Sequence, residues 1–355
     1  MPMSIIHPGR VFAALGCAVV LAACGGGGGS SSPDPTEAES GPATGSLSGG
    51  ITDAAVDEVS AVNLRVTAVE FREEGAGEDD FVTIDLTDED GNALEFNLLE
   101  FQNGEVFTLF EDVEVPAGVY EHTRLVLESP AQTPMQCNGQ DPEEGSHVEV
   151  ISGGLVPIFI PSGANTGVKL ASPFRVPANG SAEIIIDFDL RQSLHRPPPF
   201  DCYFLRPAFR VEASETTGRI AGTVDSLLLD GSNELCSDDD PATGNAVYVY
   251  EGADRLPGDL NGTEDDAADP FATAAVEFDP SAGNTGEGEF LAAFLPPGDY
   301  TVAFTCKADL ERLPDPDSDV EDERQAVDEL DFQQPQTVTV EVQETSVVEF
   351  ELVEE

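Results

Sequence analysis

Tryptophan is absent, and lysine plus arginine number only 15 against 69 aspartates and glutamates, a formal net charge of -54. A nucleic-acid partner needs a basic patch that releases counterions from phosphate, and no such cluster stands anywhere in the chain. Electrostatic adhesion to anionic lipid is disfavoured on the same ground. HExxH and GxSxG are both missing, and His122, His147 and His195 belong to no hydrolase motif, which argues against metallo- and serine-hydrolase chemistry. No CxxC or Cys/His spacing marks a zinc site. No apolar run approaches the ~20 residues that span a bilayer. What remains is a strongly acidic chain whose 40% hydrophobic content still supports real cores.

The N-terminus carries the most specific signal. Arg10 is followed by an apolar stretch from Val11 to Leu21, too short to cross a membrane and suited to a signal-peptide core. It ends in Leu21-Ala22-Ala23-Cys24, which resembles the bacterial lipoprotein box. That resemblance implies cleavage before Cys24, acylation of Cys24 and anchoring of the mature chain to a membrane. Gly25, rather than Asp, after the cysteine implies the outer membrane. An ordinary secretory leader that leaves Cys24 a free thiol is the alternative. Residues 1–23 therefore read as leader, and 24–44, rich in Gly, Ser, Pro, Asp, Thr and Glu, as a flexible tether of roughly 25 Å span.

From Leu47 onward apolar residues recur with a period near two, the mark of half-buried strands. Val82, Ile84 and Leu86 lead through Asp90-Gly91 to Leu94, Phe96 and Leu98; Phe174 and Val176 lead through Asn179-Gly180 to Ile184, Ile186, Phe188 and Leu190. Both turns have hairpin chemistry. Tyr203, Leu205, Phe209 and Val211 suggest one more strand, and Leu98 to Gln102 the only helical turn. A polar break near Thr217 separates a second strand series that starts at Ile220. The fold class is all-β: two tandem β-sandwich domains, immunoglobulin- or prealbumin-like, over 45–215 and 216–355. The halves echo each other. Val115-Pro116-Ala117-Gly118-Val119-Tyr120 corresponds to Leu295-Pro296-Pro297-Gly298-Asp299-Tyr300, and Gly45 to Gly49 corresponds to Gly218 to Gly222. With Cys17 lost in the leader and Cys24 on lipid, Cys137, Cys202, Cys236 and Cys306 remain, an even set that suggests disulfides in an exported protein. The pairs Cys137 with Cys202 and Cys236 with Cys306 each stay inside one domain.

The first half, through Gly49 to Ala54, Val115 to Tyr120, Ile186 to Arg191 and Leu205 to Pro207, resembles the bacterial family called domain of unknown function 4382. The second half, through Gly218 to Val224 and Leu295 to Phe304, is similar to carboxypeptidase-regulatory or prealbumin-like sandwiches. These resemblances imply envelope lipoproteins with no assigned reaction, and bring no catalytic residue.

Candidate sites are few. Asp187, Asp189 and Arg191 read as the solvated side of a strand, with Arg191 shielding two like charges, or else as a recognition stripe. The acidic turns Asp88 to Asn92 and Asp259 to Asp269 offer oxygen ligands to calcium, although an EF-hand reading of the second fails at Glu264 and Pro270. If Val247 and Val249 face the core, Tyr248 and Tyr250 stand outside about 7 Å apart and suit stacking on neighbouring sugars of a polysaccharide; the opposite register buries them. The sequence thus describes a lipid-anchored, non-catalytic envelope protein with a binding or structural surface, whose partner is a polysaccharide or an envelope protein and whose only candidate cofactor is calcium. The alternative is an envelope hydrolase that uses carboxylates in a pocket.

Overall fold

The computed structural model describes residues 43–352 except 55–58, 132, 138, 162–167, 171–172, 197–199, 207, 230–235, 237–243, 261–266, 279–286 and 311–329. The leader, Cys24, nearly all of the tether and the acidic stretch from Asp315 to Glu323 lie outside the described residues.

In the first half the strands are β1 (Thr44–Ala54), β2 (Val59–Glu73), β3 (Val82–Asp85), β4 (Leu94–Asn97), β5 (Phe107–Pro116), β6 (Gly118–Leu127), β7 (His147–Val150), β8 (Leu155–Phe159), β9 (Val168–Leu170), β10 (Phe174–Val176), β11 (Ser181–Asp189), β12 (Leu194–His195), β13 (Tyr203–Leu205) and β14 (Ala208–Ala213); the helical turn expected after Asn97 is present at Leu98–Glu100 but is not the only one, and an α-helical turn, α1 (Leu190–Ser193), stands between β11 and β12. One sheet has the order β14-β11-β1-β5. The facing sheet runs β10-β6-β2-β7-β8-β13-β12, with β3 and β4 paired to β2 and β9 to β6. Leu47, Ile51, Ile184, Ile186 and Phe188 from the first sheet meet Val62, Leu64, Val69, Phe71 and Leu125 from the second in one core. Period-two alternation is what delivers them there, since each strand sends alternate side chains to the same face.

The second half repeats the plan with β15 (Gly218–Val224), a turn α2 (Ser226–Leu229), β16 (Ala246–Glu251), β17 (Ala272–Ala275), β18 (Gly288–Leu295), β19 (Gly298–Thr305), β20 (Gln333–Val340) and β21 (Thr345–Phe350). Its sheets are β18-β15-β21 and β17-β16-β19-β20. Ile220, Phe290 and Phe350 pack across the sandwich against Val247, Val249, Val302 and Phe304.

The sequence echo is a structural one. Each opening strand is central, with one parallel and one antiparallel partner: β1 lies between β11 and β5, and β15 between β21 and β18. The matched glycines do matched work. A Cβ on Gly49 would stand 2.6 Å from Cε1 of Phe110, and one on Gly222 would stand 2.7 Å from Cε1 of Phe290, in each case on the antiparallel neighbour. Only glycine lets those rings lie flat over the strand. The matched Pro-Gly-Tyr turns carry the chain from one sheet to the other, and the Tyr120 and Tyr300 hydroxyls donate to the Pro116 and Pro296 carbonyls at 2.7 and 2.8 Å.

Three expectations need correction. Asp90-Gly91 does not close a hairpin, because β3 and β4 both pair with β2, one after the other along its length. Asn179-Gly180 does not close one either: β10 pairs with β6 and β11 with β1 and β14, so the turn arches between the sheets. Finally, Tyr203 to Val211 is two strands in two sheets, β13 beside β8 and β14 beside β11. Local turn chemistry is the same for a hairpin and an arch. What separates them is which apolar faces meet across the core.

Disulfides join Cys137 to Cys202 and Cys236 to Cys306, with Cα atoms 5.7 and 5.5 Å apart, each within one half. Cys236 to Cys306 spans 70 residues, a loop whose closure is worth about 4 kcal/mol on the chain-entropy account. The Cys236→Ser, Cys306→Ser double variant should lose about that much stability, read from urea midpoints without reductant.

Candidate functional site

The polar residues of β11 lead to the junction of the two sandwiches. Ile186 and Phe188 point into the core, so Asp187 and Asp189 point away from it, with Arg210 and Ala208 as their register partners on β14. The expectation of a solvated stripe is corrected here. The second sandwich covers this face, and the Asp187 side chain keeps only 12% of its exposure. Arg210 makes the join: one amino group pairs with Asp187 Oδ2, Nη1 donates to the Phe271 carbonyl at 2.9 Å, and the guanidinium lies 4.6 Å from the Phe271 ring centre. Asn103 donates to Glu277 Oε1 at 2.5 Å in a second bridge between the halves.

Arg191 does not shield both aspartates from one strand face: its charge still favours the ionised Asp189, but not Asp187, and it stands beyond the strand. The strand ends at Asp189, whose carboxylate caps α1 by accepting from Gln192 N at 3.0 Å and Gln192 Nε2 at 2.9 Å. Helical geometry then swings Arg191 into the interior, where it is 7% exposed and donates to the Ala308 carbonyl at 2.6 Å. Asp187 is neutralised instead by Arg210, a residue that sequence reasoning passed over. Its signal was available, as one of few cations and set between Phe209 and Val211 on the polar side of a strand.

Between the sandwiches lies a cavity of about 270 Å³, lined by Asp187, Asp189, Gln192, Arg210 and, from the other half, Pro270, Phe271, Ala272 and Thr273. Ala272 and Ala274 belong to the second core, so Thr273 between them faces the first sandwich. Its side chain is buried, at 6% exposure, and Oγ1 has no hydrogen-bond partner in the protein; Arg210 Nε is also left unpaired. Nothing in Ala272-Thr273-Ala274 distinguishes that threonine in the sequence.

Burial dominates the electrostatics of the junction. It raises Asp53 well above the ordinary carboxylate range, helped by the neighbouring Asp189 charge and opposed by the Leu190 amide, which donates to Asp53 Oδ1 at 3.2 Å. Asp189 is raised by burial against the hydrogen bond from Gln192. Glu212, two residues beyond Arg210, is pushed up to about 7 by burial, with Arg210 opposing and Asp187 and Glu251 adding to the rise.

The tyrosine proposal is overturned. Tyr248 and Tyr250 are both fully buried, in a small outer core with Ala246, Ala303 and Phe332. Val247 and Val249 are buried on the opposite face, because β16 is central in a sheet covered on both sides. Phe332 meets the two rings edge-on at 5.1 and 6.1 Å, and the Tyr250 hydroxyl donates to the Gly258 carbonyl at 2.7 Å, so neither ring offers a stacking face. The Asp88 carboxylate is spent on its own loop, accepting from Asp90 N, Asn92 N and Asn92 Nδ2 at 2.9 Å each. Among the described residues no group of three or more His, Cys, Asp or Glu side chains is placed to hold a metal. Part of Asp259 to Asp269 lies outside the described residues. His147 is a packing residue, its ring nitrogens 3.0 Å from the Gly145 carbonyl and 3.2 Å from Asn63 Nδ2.

Residues 44–207 match the family described as Domain of unknown function (DUF4382), in agreement with the motifs of the first half. No curated protein matches the sequence. Among solved structures, a leucine-rich repeat protein from Bacteroides thetaiotaomicron is similar at 10% identity over 87% of this chain and 26% of that one, with a TM-score of 0.20. The Bacillus anthracis TIE protein gives 11% identity over 86% and 33%, with a TM-score of 0.18. GBS52, the minor pilin of Streptococcus agalactiae, gives 13% over 86% and 94%, with a TM-score of 0.15. The chain spans about a quarter to a third of the first two, and likenesses at these scores carry no argument.

Two outcomes follow from the junction. A glutamate raised in the folded state holds its proton more tightly there than in the unfolded chain; its contribution is complete below about 4.5 and is lost as pH rises through about 7. Wild-type urea midpoints should fall across that window, and Glu212→Gln should flatten the fall, leaving the slope due to Asp53, Asp187 and Asp189, which burial also raises. Thr273→Val removes a buried hydroxyl without a protein partner, so the variant should gain about 1 kcal/mol in urea unfolding.

Proposed function

We propose that the protein is a lipid-anchored, non-catalytic component of a bacterial cell envelope that displays a two-sandwich body for binding, held at the outer membrane through Cys24. The observation that carries the reading is spacing. The first strand begins at Thr44, twenty residues after the cysteine of Leu21-Ala22-Ala23-Cys24, and the residues between have the composition of a flexible spacer. An acyl group at Cys24 would then hold a folded body near a membrane without the body touching it, which suits a surface of net charge -54. Among the described residues no helix is long and apolar enough to cross a membrane.

A hydrolase acting at the junction cavity would use Asp187 and Asp189, the carboxylates that line it. Asp187 is bound to Arg210, and both Asp189 oxygens accept from Gln192. Each therefore has a structural partner, where acid–base catalysis needs a group within reach of the proton it transfers. Display and binding account for the geometry better.

Cys24→Ser should move the protein from the membrane to the soluble fraction of lysed cells, and mass spectrometry of the wild type should find acyl chains on Cys24 at the mature N-terminus. An unmodified Cys24 in the mature wild type would overturn the proposal.

A further inference from the structure

We infer that the free edge of β21 is a docking site for an extended, cationic segment of another protein, which adds a strand to the sheet β18-β15-β21. The inference rests on the display reading and deepens it, since it names the kind of partner that the displayed body takes. Backbone geometry comes first. β21 runs parallel to β15, and the Arg219 and Asp225 amides donate to the Glu344 and Phe350 carbonyls at 3.1 and 2.8 Å. Alternation along the strand then turns the amides and carbonyls of Thr345, Val347 and Glu349 away from β15. Gln336 covers one of these outward groups by donating to the Glu349 carbonyl at 2.9 Å. Among the described residues no strand lies beyond β21 in this sheet, so the Val347 amide and carbonyl and the Glu349 amide are left for a partner.

Side chains add the chemistry. On the outer face of the sheet, register sets Leu291, Ala221 and Val347 in one row across the strands, and Val347 at the rim is 70% exposed. The next row is Glu289, Thr223 and Glu349, with both glutamates exposed. An added strand continues both rows. An apolar side chain beside Val347 covers a valine that now stands in water, and a lysine or arginine beside Glu349 makes a cross-strand pair of opposite charge where an acid is repelled. On the other face Val348 and Phe350 are packed in the core, which holds the edge in shape before a partner arrives.

The other edges of the second sandwich are shielded. Beyond β18, Glu277 and Glu289 exchange backbone hydrogen bonds at 2.8 and 3.1 Å, and β17 is only four residues long. β20 carries Pro335 and a bulge in which Gln334 has a φ of 47°. β21 has no proline, and its register with β15 runs unbroken. A second copy of this chain is the poorer occupant. Antiparallel pairing about Val347 sets Glu349 opposite Thr345 and brings it no cation, while two bodies of net charge -54 repel each other.

The test uses the mature chain in neutral detergent and fluorescent peptides of alternating valine and threonine, about eight residues long, that carry lysine, glutamate or no charged residue. A fourth peptide keeps the lysines but has proline at its centre, so it matches the charge and cannot pair as a strand. The lysine peptide should bind best and the glutamate peptide worst. Central proline and Val347→Lys should each weaken the lysine peptide by about tenfold or more, and Glu349→Gln should shrink its advantage over the neutral peptide. Binding should also slow hydrogen exchange at the Val347 and Glu349 amides, which general attraction to an acidic surface does not do. Because the Val347 side chain is exposed, Val347→Lys leaves the core intact and decides the matter. Silence from every peptide, equal binding of the lysine peptide and its proline version, or equal binding by wild type and Val347→Lys overturns the inference. So does a wild-type dimer that Val347→Lys dissolves, since it assigns the edge to a second copy. Failure here is distinguishable from failure of the anchor, because membrane fractionation depends on Cys24 and not on Val347.

Discussion

The guanidinium of Arg210 is the interaction on which the junction depends. In a chain with 15 lysines and arginines against 69 acids, a cation buried between two sandwiches has to satisfy more than one neighbour. Arg210 does so with its planar fork: it neutralises Asp187 on the adjacent strand, reaches the Phe271 backbone across the junction and lies over the Phe271 ring. A charge taken out of water without a partner is destabilising by several kcal/mol, so Asp187 and Arg210 hold their places only together. Lysine could not make the same three contacts, since it offers a point charge in place of a fork.

From that pair the burial of the other acids follows. Once the second sandwich docks on the polar face of β11 and β14, Asp189 and Glu212 are drawn out of water with Asp187, and Asp53 lies close enough to feel the Asp189 charge. Each answers in a different way. Asp189 is satisfied locally as the cap of α1, Asp53 takes a backbone amide, and Glu212 shifts to about 7. The surplus negative charge is thus managed by capping and proton uptake, because the chain lacks the cations to pair every acid.

The period-two pattern made the all-β class and the sequence echo between halves legible, and Gly49 with Gly222 and Tyr120 with Tyr300 confirm that the echo is spatial. Sheet membership was not legible. Asn179-Gly180 has the chemistry of a hairpin, yet Phe174 and Ile184 belong to opposite walls of one core and require an arch. The candidate site was half legible for a related reason. Asp187 and Asp189 stood out, but alternation says only that they leave one core; it does not say that another domain covers them. Tyr248 and Tyr250 failed on the same assumption, that a residue turned away from one core meets water.

That assumption suits a bare sandwich in solution, and both faces here are covered. The Asp187 face meets β17 and the residues just before it, whereas the Tyr248 face is closed by Ala268, Ala308 and Phe332 of its own half. The interior on the Asp187 face is not filled completely. Its strands are positioned by their own cores, so side chains such as Asp187 and Thr273 approach the junction from separately determined frames and leave a gap lined with hydrogen-bonding groups. A cavity at such a junction is therefore of mixed character, with Asp187, Asp189, Gln192 and Arg210 on one side and Pro270, Phe271 and Ala272 on the other.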